Sequence, residues 1–341
     1  MKLYRYRPLS ELLFKELRYN EIYSASPLEL NDPLDLNGQL NFFSKDKTKI
    51  KELVSFIFRQ LFMLHMTNKN YDLVKTTMDS SNLEQLTSYL TAYFSNHSNE
   101  VITKNDLFGI LSRFYKENPN SVNELDRFEL EELFHTLDVL FSQFLNNSSV
   151  TSFTENSTNF LMWSHYASGH AGVCLEFEVN NSHNINDICK FPLTSIRPYD
   201  GKYIEFKTKV KKVKYSTSLT TLNFYDYLPV FYNKGDVDLM NLSKSYWHQY
   251  AKGIENIFLE KLSPWSDETE WRIVDVKFQE SLPEERISHF KSDALTGVYF
   301  GSKASERTQI RVRKAIEESM CKPIFYKCSI DGTRGISIEK I

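Results

Sequence analysis

The spacing of apolar positions changes twice along this chain, and the changes divide it. At the start, Leu3-Tyr-Arg-Tyr6 has the two-residue period of a short strand. Ser10 then precedes Glu11 and the apolar positions Leu12, Leu13 and Leu17, an N-cap and a first-turn acid that predict a short helix. Glu21-Ile-Tyr-Ser-Ala-Ser26 reads as a second strand, ended by Pro27, which has no N–H for a ladder. Leu30-Asn-Asp-Pro-Leu-Asp35 reads as a turn, since an Asn or Asp side chain can mimic the backbone turn and Pro33 fixes the next φ.

From residue 46 to about 147 the period becomes helical. Leu53, Phe56, Ile57, Leu61 and Leu64 form one stripe, and Leu83, Leu86, Leu90 and Phe94 a second. Leu107, Ile110, Leu111 and Phe114 follow an N-cap at Thr103. Ser121-Val-Asn-Glu124 is a capping box that opens a longer helix carrying Leu133, Leu137, Leu140, Phe141 and Phe144. From 150 the strand period returns in Val150–Thr154, Val173–Val179, Glu268–Val276, Thr296–Gly301, Pro323–Cys328 and Gly335–Ile338. Helices are expected from Tyr246 and after an N-cap at Ser305, and residues 216–245 read as a polar, turn-rich loop. The expectation is an α+β protein, with a mixed or antiparallel β core and a large all-helical insertion. Its parts are residues 1–45, the insertion 46–147, and 148–341.

Composition narrows the picture. With 341 residues, 41% hydrophobic and 14% aromatic, the chain can bury a sizeable core. A net charge of -3 gives no long-range attraction to nucleic acid or to an anionic membrane. Six lysines between Lys202 and Tyr215 are interleaved with Ile204, Phe206, Val210 and Val213. They read as an edge strand or hairpin blunted by lysines in preference to a basic patch. Cys174, Cys189, Cys321 and Cys328 form no C-x-x-C pair, which argues for reduced thiols and against a structural zinc site. No signal-peptide core and no run of about 18 apolar residues is present, so a cytoplasmic protein that does not enter a membrane is expected.

The chemistry concentrates in two stretches. Phe160-Leu-Met-Trp-Ser-His-Tyr-Ala-Ser-Gly-His-Ala-Gly-Val-Cys-Leu-Glu-Phe177 brings Trp163, His165, Tyr166 and His170 together, then passes two glycines into an apolar strand. Trp163 and Tyr166 are also spaced as ordinary helix core. The five-residue gap between His165 and His170 suits a metal pair poorly, so His165 alone is the stronger ligand-contacting or catalytic candidate. In Glu268-Thr-Glu-Trp-Arg272 a strand period puts Glu268, Glu270 and Arg272 on one face. Two carboxylates on one face call for a cation between them, and Arg272 can supply it; a solvated Glu–Arg face is the alternative. There is no P-loop, no G-x-G-x-x-G, no H-E-x-x-H and no G-x-S-x-G, and glycines number only 11.

Taken together, these stretches resemble the Domain of Unknown Function 2971 family. The residues that carry the resemblance are Tyr4-Arg5-Tyr6, Asn31-Asp32-Pro33 with Asp35, Ser152-Phe153, Met162-Trp163-Ser-His165-Tyr166-Ala167, Gly169-His170-x-Gly172-x-Cys174-x-x-Phe177, and Trp265-x-x-Glu268-x-Glu270-Trp271-Arg272. Leu30 stands where the family commonly has Phe, and Asp35 where it usually has Glu. More distantly the chain is similar to ADP-ribosyltransferases, which place an Arg or His on a first strand, a Ser or Tyr on a second, and a Glu in an E-x-E or Q-x-E motif that opens a later one. Arg5, Ser24 or Ser26, and Glu268-Thr-Glu270 occupy that order here.

That likeness implies NAD as substrate, with no metal required. It implies Glu270, Glu268 and His165 as catalytic residues. Arg5, Ser26, Asn31, Asp32, Trp163, Tyr166 and His170 would hold the nucleotide, and a protein or nucleic acid would be the acceptor. Phage defence is a setting in which such an enzyme is expected. Two alternatives stand beside it: a non-catalytic nucleotide-sensing or regulatory module, and a metal-dependent nuclease or phosphoesterase built on Asp32, His165 and Glu270.

Overall fold

The computed structural model describes residues 1–67, 80–97, 100–118, 127–179, 188–196, 203–231, 243–277, 281–332 and 335–341. The chain divides into two compact units. One holds Met1–Asn37, Leu145–Ser218 and Glu255–Ile341; the other holds Gly38–Phe144 and Leu219–Ile254. Among the described residues no helix is long and apolar enough to cross a membrane.

The first unit is built on one sheet of eleven strands: β1 (Lys2–Arg7), β2 (Glu21–Tyr23), β3 (Ser149–Thr154), β4 (Val173–Glu178), β5 (Ile188–Ile196), β6 (Tyr203–Lys212), β7 (Glu270–Asp275), β8 (Ile287–Phe290), β9 (Leu295–Phe300), β10 (Ile324–Asp331) and β11 (Gly335–Lys340). Their spatial order is β11-β10-β9-β4-β1-β3-β7-β6-β5-β8-β2. The sheet is mixed: β9 and β10 run parallel, while the other paired strands are antiparallel. With the helical second unit this is the α+β class that the periodicity predicts.

The sheet curls on itself. Phe177 on β4 packs edge-on to Phe290 on β8 with ring centres 5.2 Å apart, although five strands lie between them in the sheet order. Phe153 on β3 and Phe191 on β5 close the same cluster at 5.7 Å. Leu3, Val173, Leu175, Trp271, Ile273 and Val298 fill the rest. Each such buried side chain contributes about 1.5–3 kcal/mol by leaving water, so closure of the sheet around them is strongly favoured.

Helices α1 (Glu11–Tyr19) and α3 (Glu306–Glu317) pack on this core through Leu13, Leu17, Val312, Ala315 and Ile316. The predicted caps hold. Ser10 accepts from the Leu13 N–H, and Ser305 from the Thr308 N–H. The lysine-rich strand β6 pairs antiparallel with β5, the strand before it in the chain, as the hairpin reading expects and the edge-strand reading does not. β6 lies inside the sheet, between β7 and β5, not at an edge. It tolerates its lysines because Lys211 and Lys212 pair with Glu255 and Glu155, and Lys212 also lies over the Trp271 ring.

The second unit carries helices Lys47–Thr67, Ser80–Ser95, Lys104–Glu117 and Arg127–Asn146. Their stripes are buried as the spacing predicts, among them Leu53, Phe56, Leu86, Leu90, Leu107 and Leu111. Thr103 and Asp106 form a reciprocal capping box. The capping box expected at Ser121–Glu124 lies outside the described residues. Part of the stretch expected to be loop is ordered here. Thr220–Asn223 pairs in parallel with Gly38–Asn41, and Phe224–Phe231 is helical. Leu222, Phe224, Tyr225, Tyr227 and Leu228 are all buried, and this cluster is the apolar signal that outweighs the polar residues around it.

Candidate functional site

A cavity of about 340 Å³ opens within the sheet unit, at the small end of the range for ligand pockets. Its wall takes Arg5 and Arg7 from β1, Glu29, Asn31 and Asp35 from the loop after β2, and Ser152 from β3. His165 and Tyr166 come from the short helix α2 (Phe160–Tyr166), and Lys261, Glu268 and Glu270 from the approach to β7 and its first residue. Six residues that the sequence marks as candidates therefore share this wall: Arg5, Asn31, His165, Tyr166, Glu268 and Glu270.

Asp35, Lys261, Glu268 and Glu270 of this wall belong to a buried network of carboxylates and cations. Arg272 on β7 grips Glu270 through Nε (2.8 Å) and Nη2 (2.7 Å). The same guanidinium grips Asp35 through Nη1 (2.9 Å) and Nη2 (2.7 Å), and Nη1 also donates to the Phe258 carbonyl. The ammonium of Lys261 lies 2.7 Å from Glu268, 3.4 Å from Glu270 and 3.3 Å from Asp35, and sits over the Trp265 ring. The Tyr166 hydroxyl donates to the other Glu268 oxygen at 2.8 Å.

The environments push these groups in different directions. Burial alone would raise the Asp35 carboxyl, but Arg272, helped by Lys261, holds it below the ordinary carboxylate value. Burial raises Glu268 instead, because Lys261 opposes it only in part and Glu270 adds like-charge repulsion. Burial and the neighbouring Glu268 also raise the Tyr166 phenol, against the pull of Lys261 and Asn31. Two carboxylates two residues apart thus differ in how they are held. Glu270 is locked by a guanidinium fork, and Glu268 is held by an ammonium and a phenol.

The strand period explains only half of this convergence. Glu270 and Arg272 share a face of β7 as predicted, but Glu268 closes a 3-10 helix, Ser263–Glu268, and is not in the strand. Thr269 joins the two in the left-handed region, with φ 45. That conformation is costly for a β-branched residue. It turns the chain so that both carboxylates reach Lys261. Thr154 on β3 supports the turn, donating to the Glu268 carbonyl at 2.7 Å.

Two arginines of β1 also line the cavity. Arg5 is 8% exposed and donates through Nη2 to the Tyr23 carbonyl at 2.9 Å. Its Nη2 lies 3.5 Å from Glu16, and Arg7 Nε lies 2.8 Å from the same carboxylate. Two guanidiniums therefore share one carboxylate, and the buried Nη1 of Arg5 has no hydrogen-bond partner among the described residues. Burial lowers the Arg5 pKa to about 10, with Glu16 pulling it back up and Arg7 lowering it further.

Four sequence-predicted nucleotide contacts do not line the cavity, and each has a local task. Ser26 caps the 3-10 turn Pro27–Glu29, receiving and returning hydrogen bonds with Glu29. Asp32 accepts from the Leu34 N–H at 2.9 Å, the side-chain turn that Asn-Asp-Pro predicts. Trp163 is fully buried and donates to the Ser157 carbonyl. His170 stacks on Trp163 and meets Ser164 Oγ at 3.1 Å, and burial lowers its pKa, with Lys303 adding to the effect. The two rings brace the entry to β4. Gly172 is required there, because a Cβ would lie 2.4 Å from the Arg7 carbonyl.

Three contributors escaped the sequence reading: Arg7, Asp35 and Lys261. Arg7 was visible as the i+2 partner of Arg5 on β1. Asp35 was marked only as part of a motif, and Lys261 carried no signal, since a single lysine between two elements is ordinarily solvated. Among the described residues, no group of three or more His, Cys, Asp or Glu is arranged to hold a metal ion. Asp32, the residue a metal-dependent nuclease reading needs, stands apart from the wall that His165 and Glu270 line.

Residues 162–273 match the model of a family described as Protein of unknown function (DUF2971). Over this range the chain is similar to the DUF2971 family. That segment runs from α2 through β4 to β7, so it contains His165, Tyr166, Lys261, Glu268, Glu270 and Arg272, while the Arg5 and Asp35 sides of the cavity come from outside it. The family resemblance carried by Met162-Trp163-Ser-His165 and Glu268-x-Glu270-Trp271-Arg272 is borne out over this range. No curated protein and no solved structure matches the chain.

Proposed function

We propose that the chain binds an NAD-type dinucleotide in this cavity and breaks the bond between nicotinamide and ribose, as an ADP-ribosyltransferase-like enzyme. The observation that carries the reading is that one cavity wall holds both the guanidiniums of Arg5 and Arg7 and the carboxylates of Glu268 and Glu270. A phosphate group suits the guanidiniums that line the wall. Ribose hydroxyls suit the carboxylates. Glu270 would accept from the 2′-hydroxyl and face the positive charge that develops on C1′. In that step the C1′–N bond breaks and its electron pair leaves on the nicotinamide ring nitrogen. His165 and Tyr166 offer ring surface to the base. A protein, a nucleic acid or water then takes the ribosyl carbon.

One observation favours a second reading, nucleotide binding without turnover. Each oxygen of Glu268 and Glu270 already accepts a hydrogen bond from Tyr166, Lys261 or Arg272. A network so fully occupied suits sensing as well as catalysis. Nicotinamide release from NAD, with and without a chelator, separates the two. Glu270→Gln, with folding checked by circular dichroism, should lower release roughly a hundred- to thousandfold, the cost of one lost electrostatic contact in a transition state. No release by the wild type with any acceptor tested favours the binding module. Release untouched by Glu270→Gln rejects the assigned role of Glu270.

A further inference from the structure

We infer that Lys261 is the positioning residue of this site: its ammonium sets the charge and aim of Glu268, while Arg272 serves Glu270. The inference deepens the transferase reading by assigning different tasks to the two carboxylates, and its test does not need turnover.

The geometry matches donor number to acceptor number. An ammonium has three protons, and three carboxylates, Asp35, Glu268 and Glu270, surround this one at 3.3, 2.7 and 3.4 Å. The side chain is 4% exposed, so water screens it little. Trp265 covers the ammonium at 4.9 Å from its ring centre and favours the cation.

The three carboxylates do not depend on Lys261 equally. Asp35 and Glu270 each receive two hydrogen bonds from Arg272. Glu268 receives none from it. The groups that face Glu268 are Tyr166 from α2, Lys261 from the strand Glu260–Leu262, Glu270 from β7, and Tyr215 from the strand Lys214–Ser216. Among the described residues, Lys261 is the cation in contact with it. Glu268 is 6% exposed, and burial without a cation drives a carboxylate to its neutral form. With the Lys261 charge removed, Glu268 would be a buried carboxylate with no cation in contact among the described residues. Glu270 keeps its two hydrogen bonds from Arg272, so the loss falls on Glu268. The Tyr166 hydroxyl, which now donates to a carboxylate, would then face a carboxylic acid.

The test is the titration of the glutamate side-chain carboxyl carbons by ¹³C NMR, with Glu268→Gln identifying the Glu268 signal. Lys261→Met removes the charge and the donors. Lys261→Gln keeps a donor against Glu268 and removes only the charge, so it carries the test if Lys261→Met does not fold. Both neutral variants should move the Glu268 midpoint to higher pH, and Lys261→Arg should restore it toward the wild-type position. A Glu268 midpoint unchanged in the neutral variants overturns the inference, as does a Lys261→Arg shift as large as that of Lys261→Gln. If the wild type releases nicotinamide, the acid limb of its pH profile should move in the same direction in Lys261→Gln, with kcat falling more than KM rises. If it releases none, the transferase reading fails while the NMR titration still decides the role of Lys261.

Discussion

Replacing Arg272 by Met should be among the most destabilising single changes in the sheet unit. The guanidinium makes five hydrogen bonds: two to Glu270, two to Asp35 and one to the Phe258 carbonyl. Its side chain is 1% exposed and both carboxylate partners are 5% exposed. Methionine fills a similar volume but leaves two buried carboxylates to share Lys261, which is already engaged with Glu268. Breaking a buried ion pair from one side costs about 3–5 kcal/mol, because the abandoned charge stays out of water. Against a total stability of about 5–15 kcal/mol that is a large fraction.

Arg272→Lys keeps the charge and loses the fork, so it should cost less. The triple variant Arg272→Met, Asp35→Asn, Glu270→Gln leaves no orphaned charge and should recover much of the loss, since apolar or neutral replacement of a whole buried network is often tolerated. The assay is urea unfolding at neutral pH followed by tryptophan fluorescence; Trp163, Trp265 and Trp271 all lie in this unit. A loss below about 1 kcal/mol for Arg272→Met, the level of an exposed pair, would refute the claim that this network is desolvated and mutually dependent.

Two further outcomes follow from the same geometry. Gly172→Ala should destabilise the unit by about 1–3 kcal/mol, since the new Cβ would sit 2.4 Å from the Arg7 carbonyl and 2.9 Å from the Ala167 carbonyl; an unchanged urea midpoint would show that this approach relaxes freely. Glu268→Gln should change the pH dependence of stability in a defined sense. The folded pKa of Glu268 lies above its ordinary 4.5, so the folded chain keeps that proton to higher pH and stability falls as pH rises from 4.5 through the folded value. Asp35 acts oppositely: its folded pKa lies below 3.8, and its contribution, present above 3.8, is lost as pH falls through the folded value. Urea midpoints above pH 4.5 should lose the first dependence in Glu268→Gln, while those below pH 3.8 should keep the second, and equal slopes above pH 4.5 in wild type and variant would contradict this.

The sequence by itself determined the local elements and the broad class. Ser10, Thr103 and Ser305 announce their helices because capping is decided within four residues. The buried stripes of the helical unit follow from a period that needs no partner to be read. The sequence also marked part of the candidate wall, since Arg5, Asn31, His165, Tyr166, Glu268 and Glu270 belong to its polar motifs. Only the tertiary structure decided which marked residues are structural. Trp163 and His170 look like ligand contacts in the chain but brace the turn into β4, because their neighbours in space, Gly301 and Lys303, come from some 130 residues away. The ordered stretch around Thr220–Asn223 depended on a strand near residue 40, a pairing no local pattern reveals. The cations of the site show the division most plainly. Arg272 could be paired with Glu270 by counting two along a strand, whereas Lys261 and Asp35 reach the same carboxylates only through the left-handed turn at Thr269 and the return of the loop after β2. A period along the chain reports the faces of single elements. Charge compensation among buried groups is a property of distances, and those exist only once the sheet has closed.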